Sequence, residues 1–115
     1  MLLRRGVNMD IMDNEELRST LRAIFNQQGV ENRHDVQHMV WMEEMGELIQ
    51  ALSKAIRYGA EDGRREAILE EVADVMVSCL EIMVWYDFDC ITVENRMSEK
   101  LIRFFKRILE KGSMV

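Results

Sequence analysis

Proline is absent from the 115-residue chain and glycine occurs only six times. With so few breakers, nothing interrupts helical stretches of twenty residues or so, and a many-stranded sheet with its turn chemistry is excluded as the leading fold. Cysteine is scarce as well. Cys79 and Cys90 form neither a CxxC pair nor a dense disulfide framework, so the expectation is two reduced, buried thiols and a reducing compartment, the cytoplasm. No apolar run approaches the roughly 20 residues that cross a bilayer; the longest, Val75 to Leu80, is bounded by Asp74 and Glu81. The opening "MLLRRGVNMD" lacks the apolar core and small-residue cleavage site of a signal peptide, and reads as a flexible arm over residues 1–12 ahead of one helical domain over 13–111.

A basic surplus is also missing. Net charge is −6, distributed as −1 over residues 1–42, −6 over 43–81 and +1 over 82–115. An acidic centre of this kind argues against direct nucleic-acid binding, which needs a basic footprint, and permits a cation site. What the chain has in quantity is apolar periodicity, with 48% hydrophobic residues and ten methionines. The pattern predicts four helices in an all-α, four-helix-bundle-like fold.

The first helix is expected to open at Asp13, which has capping-box spacing to Glu16, and to stop at Gly29. The second runs from near Asn32 to Gly59, and the third from about Asp62 to Asp87 with Ile68, Val72, Val75, Cys79 and Ile82 as its stripe. The fourth runs from about Thr92 to Lys111 with Met97, Leu101, Phe104 and Ile108 inward. A chain this short buries a modest fraction of its surface and gains stability by associating.

Two acidic motifs stand inside these apolar patterns. In "WMEEMGELIQ", Glu44 and Glu47 are three residues apart and project from one helix face; in "LEEVADV", Glu71 and Asp74 repeat the spacing. An isolated pair is ordinarily a solvated helix face. Two pairs set in core stripes, on helices whose short connection makes them antiparallel, can bring four carboxylates to one place, where only a cation relieves their repulsion. All-oxygen ligation favours a hard ion, Mg²⁺ or Mn²⁺ over Zn²⁺, and Mg²⁺ completes its shell with waters and substrate phosphates.

The order EExxE, spacer, ExxD, here "EEMGE" and "EVAD", resembles the signature of the MazG-like all-α nucleoside triphosphate pyrophosphohydrolases, over roughly residues 34–108. The resemblance implies a bundle that associates as a homodimer or homotetramer, a nucleoside triphosphate substrate, and Mg²⁺-dependent cleavage between the α- and β-phosphates. It places metal ligands on Glu44, Glu47, Glu71 and Asp74. Glu43, about 100° round the helix from Glu44, is a candidate for assisting catalysis.

The fourth helix carries Arg96, Lys100, Arg103 and Arg107 in one stripe. Lys100 and Arg103 match the family's basic positions best and are candidates for gripping phosphate, as is Lys54; a solvated face paired with Glu99 and Glu110 is the plainer reading. Gln37 and Trp41 lie seven and three residues before Glu44, placing them to meet a base by hydrogen bonding and stacking, although core packing is the commoner fate of a tryptophan. Two other classes of function fit the same features: a helical adaptor whose methionine-rich seams are interfaces, and a nucleotide sensor without turnover.

Overall fold

The computed structural model describes residues 11, 13–27, 34–61 and 63–112, and within them the chain is helical with short turns. The helices are α1 (Glu15–Gln27), α2 (His34–Tyr58), α3 (Arg64–Trp85) and α4 (Cys90–Lys111). The expected all-α architecture is what the chain adopts. Among the described residues, no helix is long and apolar enough to cross a membrane. The expected arm (apart from Ile11), Gly29, Asn32 and Asp62 lie outside the described residues.

Caps set the boundaries. The α1 cap is Asn14 in place of Asp13: its Oδ1 accepts from the Leu17 N–H at 2.9 Å, the geometry by which a short polar side chain satisfies an orphan donor in the first turn. Gly59, at φ +85°, stops α2 in a left-handed conformation open to glycine without cost. α4 begins two residues earlier than the Thr92 start, because Asp89 accepts from the Thr92 N–H at 2.7 Å. That bond holds the Asp89 carboxyl below its ordinary range.

α2 and α3 form the main packed pair, with α1 laid along the C-terminal half of α3. Later residues of α2 meet earlier residues of α3, so the two are antiparallel: Trp41 touches Trp85 while Glu44 and Glu47 meet Glu71 and Asp74. The interior is an aromatic cluster joined to Leu80, Met83 and Val84, which are buried with Trp41 and Cys90. Phe25 of α1 packs edge-on against Trp85 at 5.3 Å, and Trp85 meets Trp41 at 5.6 Å. The burial pattern differs from the expected α3 stripe: Val72 and Cys79 are exposed, and Ser78, Leu80, Met83 and Val84 are inside. Only the half of α3 covered by both α1 and α2 is enclosed.

α4 stands off from the other three. Among the described residues it makes no extended packing with α1, α2 or α3, and the radius of gyration of 17.3 Å exceeds the roughly 13 Å of a compact domain near this size. The turn before it is tied to α1. The Arg18 guanidinium, buried, donates to the Phe88 carbonyl at 2.6 Å, and Arg22 pairs with Asp87 at 3.4 Å. Asp87 itself takes φ +56°, a left-handed conformation that aspartate tolerates better than most residues. The consequence is a large apolar surface left open: Ile49 and Ile56 on α2, Leu69 and Met76 on α3, and Leu101, Phe105 and Leu109 on α4 are all exposed.

Candidate metal centre

The antiparallel α2–α3 pair performs the convergence that the spacing implied. One carboxylate oxygen from each of Glu44, Glu47, Glu71 and Asp74 lies within 4.8 Å of all the others. Glu44 and Glu71 are half-buried and form the floor; Glu47 and Asp74 are exposed and form the rim. The floor is unsatisfied. Oε2 of Glu44 and Oε2 of Glu71 are buried and lack a hydrogen-bond partner, an arrangement that costs free energy unless a cation or a donor answers it.

The electrostatics carry the same signature. Loss of solvent pushes the Glu44 carboxyl above its ordinary value, and the charges of Glu47, Asp74, Glu71 and Glu43 push it further. Glu71 is raised by loss of solvent and by Glu47 and Asp74, and a carboxyl–carboxyl contact with Glu47 adds to the shift because one partner must hold a proton to donate. Linkage sets a sign. Groups whose folded pKa lies above the unfolded value, here 4.5, support the fold at acid pH and withdraw that support as pH rises through the folded pKa. In chelator, the thermal midpoint is therefore expected to lose this contribution as pH rises from about 4.5 through the raised pKa values towards neutrality, while saturating Mg²⁺ removes the trend by favouring the ionised carboxylates. Melting curves at several pH values with and without the ion check this; a midpoint whose pH dependence in this range is the same with and without Mg²⁺ contradicts it.

The other candidates are placed less uniformly. Glu43 is exposed beside the cluster, outside the set of four, and acts on Glu44 through its charge. Lys54 is exposed on α2, and Gln37 is half-buried near the α2 start. Lys100 and Arg103 lie exposed on α4, which among the described residues makes no extended packing with α2 or α3. Trp41 is 2% exposed. Its ring is met edge-on by His38 at 4.9 Å and by Trp85 at 5.6 Å, so core packing takes the surface that was expected to stack on a base. His38 in turn bonds the Tyr86 hydroxyl through Nε2 at 2.6 Å, a role inside the aromatic cluster.

One residue of this region escaped the spacing rules. Glu81 reads as an ordinary surface charge in "SCLEIM", yet it is half-buried, and loss of solvent raises its carboxyl above the ordinary value while the Trp41 indole opposes the shift. Its signal was the seven-residue step from Asp74, two turns along the same helix face.

Fold and site together define an all-α protein with a four-carboxylate cluster between antiparallel helices. A family model of the MazG nucleotide pyrophosphohydrolase domain matches residues 33–108. The match spans both acidic motifs and most of α4, and the chain belongs to this family. No curated protein and no solved structure matches the chain at a significant level.

Proposed function

We propose that the protein is a divalent-cation-dependent hydrolase that cleaves nucleoside triphosphates between the α- and β-phosphates, giving the monophosphate and pyrophosphate. The observation that carries this reading is the meeting of four carboxylates within 4.8 Å, two of them with buried, unanswered oxygens. An all-oxygen donor set of this charge suits Mg²⁺, with Mn²⁺ as a substitute. When bound, the ion neutralises phosphate oxygens and lowers the pKa of the attacking water.

The chain's own residues do the rest. Glu44 and Glu71, half-buried, and Glu47 and Asp74, exposed on the side open to a polyphosphate, would hold the ion. Glu43, exposed beside the four and close enough for its charge to act on Glu44, orients the incoming water through its carboxylate or accepts its proton. Lys54, seven residues beyond Glu47 on the same helix, meets the distal phosphates as a mobile point charge.

The same reading makes the working unit a homodimer or homotetramer. Among the described residues, α4 presents an apolar face without extended cover and a stripe of Arg96, Lys100, Arg103 and Arg107 beside it; α2 and α3 present open apolar residues around an acidic site. The two surfaces are complementary in hydrophobicity and in charge. In an assembly, Lys100 and Arg103 reach the phosphates from a second copy.

Pyrophosphate release from a panel of canonical and modified nucleoside triphosphates, with Mg²⁺, with Mn²⁺ and with chelator, tests the reading. Metal-dependent release is the expected result. The open apolar seams also fit a helical adaptor, and the panel separates the three classes: binding without release marks a sensor, and neither binding nor release leaves the adaptor.

A further inference from the structure

The α2–α3 pair is anchored unevenly about its four carboxylates. To one side of the cluster lie Trp41 on α2 and Ser78, Leu80, Met83 and Val84 on α3, all buried. To the other side, towards the connection between the helices, no residue from Met42 to Tyr58 or from Arg64 to Val77 is buried as a whole. The best covered there, among them Leu48, Ala51, Ala55, Ile68 and Val75, are half-buried. Like charges within 4.8 Å of one another push the two helices apart, and enclosed apolar packing opposes that push only at the aromatic end.

The open end carries a clamp. Arg64, the first residue of α3, reaches back across the turn. Its Nη1 donates to the Tyr58 carbonyl at 3.1 Å and, over a longer 3.4 Å, to those of Gly59 and Glu61. The guanidinium carbon sits over the Tyr58 ring, 5.2 Å from its centroid. Carbonyls at a helix C-terminus have no partner within the helix and attract a cation, whereas a cation in a first turn is unfavourable to its own helix. Arg64 therefore serves the end of α2 rather than the start of α3, which Gly63 leaves without a side-chain cap. Glu71 follows Arg64 by seven residues, about 10.5 Å along the axis.

Resting on the cation-dependent reading above, we propose that Arg64 is a positioning residue: by fastening the start of α3 to the end of α2, it holds the pair closed against carboxylate repulsion and keeps Glu44, Glu47, Glu71 and Asp74 within reach of one divalent cation. Closure and ion binding are linked. When only a fraction of the folded molecules has its ligands together, the apparent dissociation constant rises by the inverse of that fraction. Loosening the clamp lowers the fraction and weakens the ion. The sign separates this from plain electrostatics, because deleting a positive charge near a cation site would by itself tighten cation binding.

The test measures Mn²⁺ binding from the signal of the unbound ion in electron paramagnetic resonance, at a temperature where circular dichroism shows each protein fully helical. Wild type is compared with Arg64→Met, which loses the donors, with Arg64→Lys, which keeps the charge but not the planar fork, and with Arg65→Met, which removes a neighbouring charge from an exposed side chain. The dissociation constant is expected to rise about three- to tenfold in Arg64→Met, the scale of one solvent-exposed, charge-assisted hydrogen bond. Arg64→Lys should fall between that variant and wild type, and Arg65→Met should bind as wild type or tighter. Unchanged or tighter binding in Arg64→Met, even with a lower thermal midpoint, shows a merely structural Arg64 and overturns the proposal while the cation site stands. An equal loss in Arg65→Met overturns it too, since the effect would then belong to the start of α3 as a whole. Should Arg64→Met fail to fold, Arg64→Lys decides: weaker binding than wild type sustains the clamp, and equal binding ends it. If wild type binds no Mn²⁺, the cation-site reading fails first and takes the clamp with it.

Discussion

Glutamine in place of Glu47 should abolish pyrophosphate release and, in the same variant, raise the thermal midpoint of the metal-free protein. The two effects have one origin. Glu47 is the largest charge acting on both Glu44 and Glu71, and it makes the carboxyl–carboxyl contact that lifts Glu71 further. Neutralising it relieves repulsion at a site where one oxygen of Glu44 and one of Glu71 are buried without a partner, so the apo fold gains. The same change removes a ligand from the rim, and a positioned charge of this kind is worth about 10²–10³-fold in rate. Melting in chelator and in Mg²⁺, beside the release assay, reads both. A variant that melts lower in chelator, or that keeps the full Mg²⁺-induced shift, would show that the four carboxylates are not a cation site.

The second large effect concerns α4. Wild-type protein is expected to behave in light scattering as at least two copies of the 13.6 kDa chain, and Leu101→Asp with Phe105→Asp should reduce it to one. Both side chains are about half exposed in the single chain, so the charges can stay solvated there at a modest helix-propensity cost; in an interface they are desolvated without partners, which is strongly unfavourable. Turnover should fall with the assembly, because Lys100 and Arg103 leave the site together with the helix. Wild type that is monomeric at high concentration yet fully active would remove both the assembly and the two basic residues from the mechanism.

Four helices were legible in the sequence because the absence of proline, the glycines at the breaks and the apolar periods agreed with one another. The acidic pairs were legible for a geometric reason: a three-residue step fixes a shared face whatever packs around it. Trp41 was legible only as a choice between core packing and base stacking, since being near the site in sequence does not say whether a ring faces the groove or the interior, and the neighbouring His38 and Trp85 hold it inward. Cys79 and Val72 looked like core because periodicity reports that a face is apolar and never which molecule covers it. The detached α4 is the largest instance of that gap. Asn14 was passed over for Asp13 because adjacent side chains can both cap, and the backbone path into the helix chose between them.

The corner before α4 sets the direction in which that helix leaves the rest of the fold. Arg18 and Arg22 of α1 grip Phe88 and Asp87, and Asp87 is held at a positive φ. These contacts lie well away from the acidic cluster and touch nothing that reacts, yet they aim α4 as an elbow aims a forearm. A small rotation at Asp87 is multiplied along the 22 residues of that helix. Two arginines on the first helix thereby act as the calibration of α4, deciding at what angle its basic stripe leaves the α2–α3 pair.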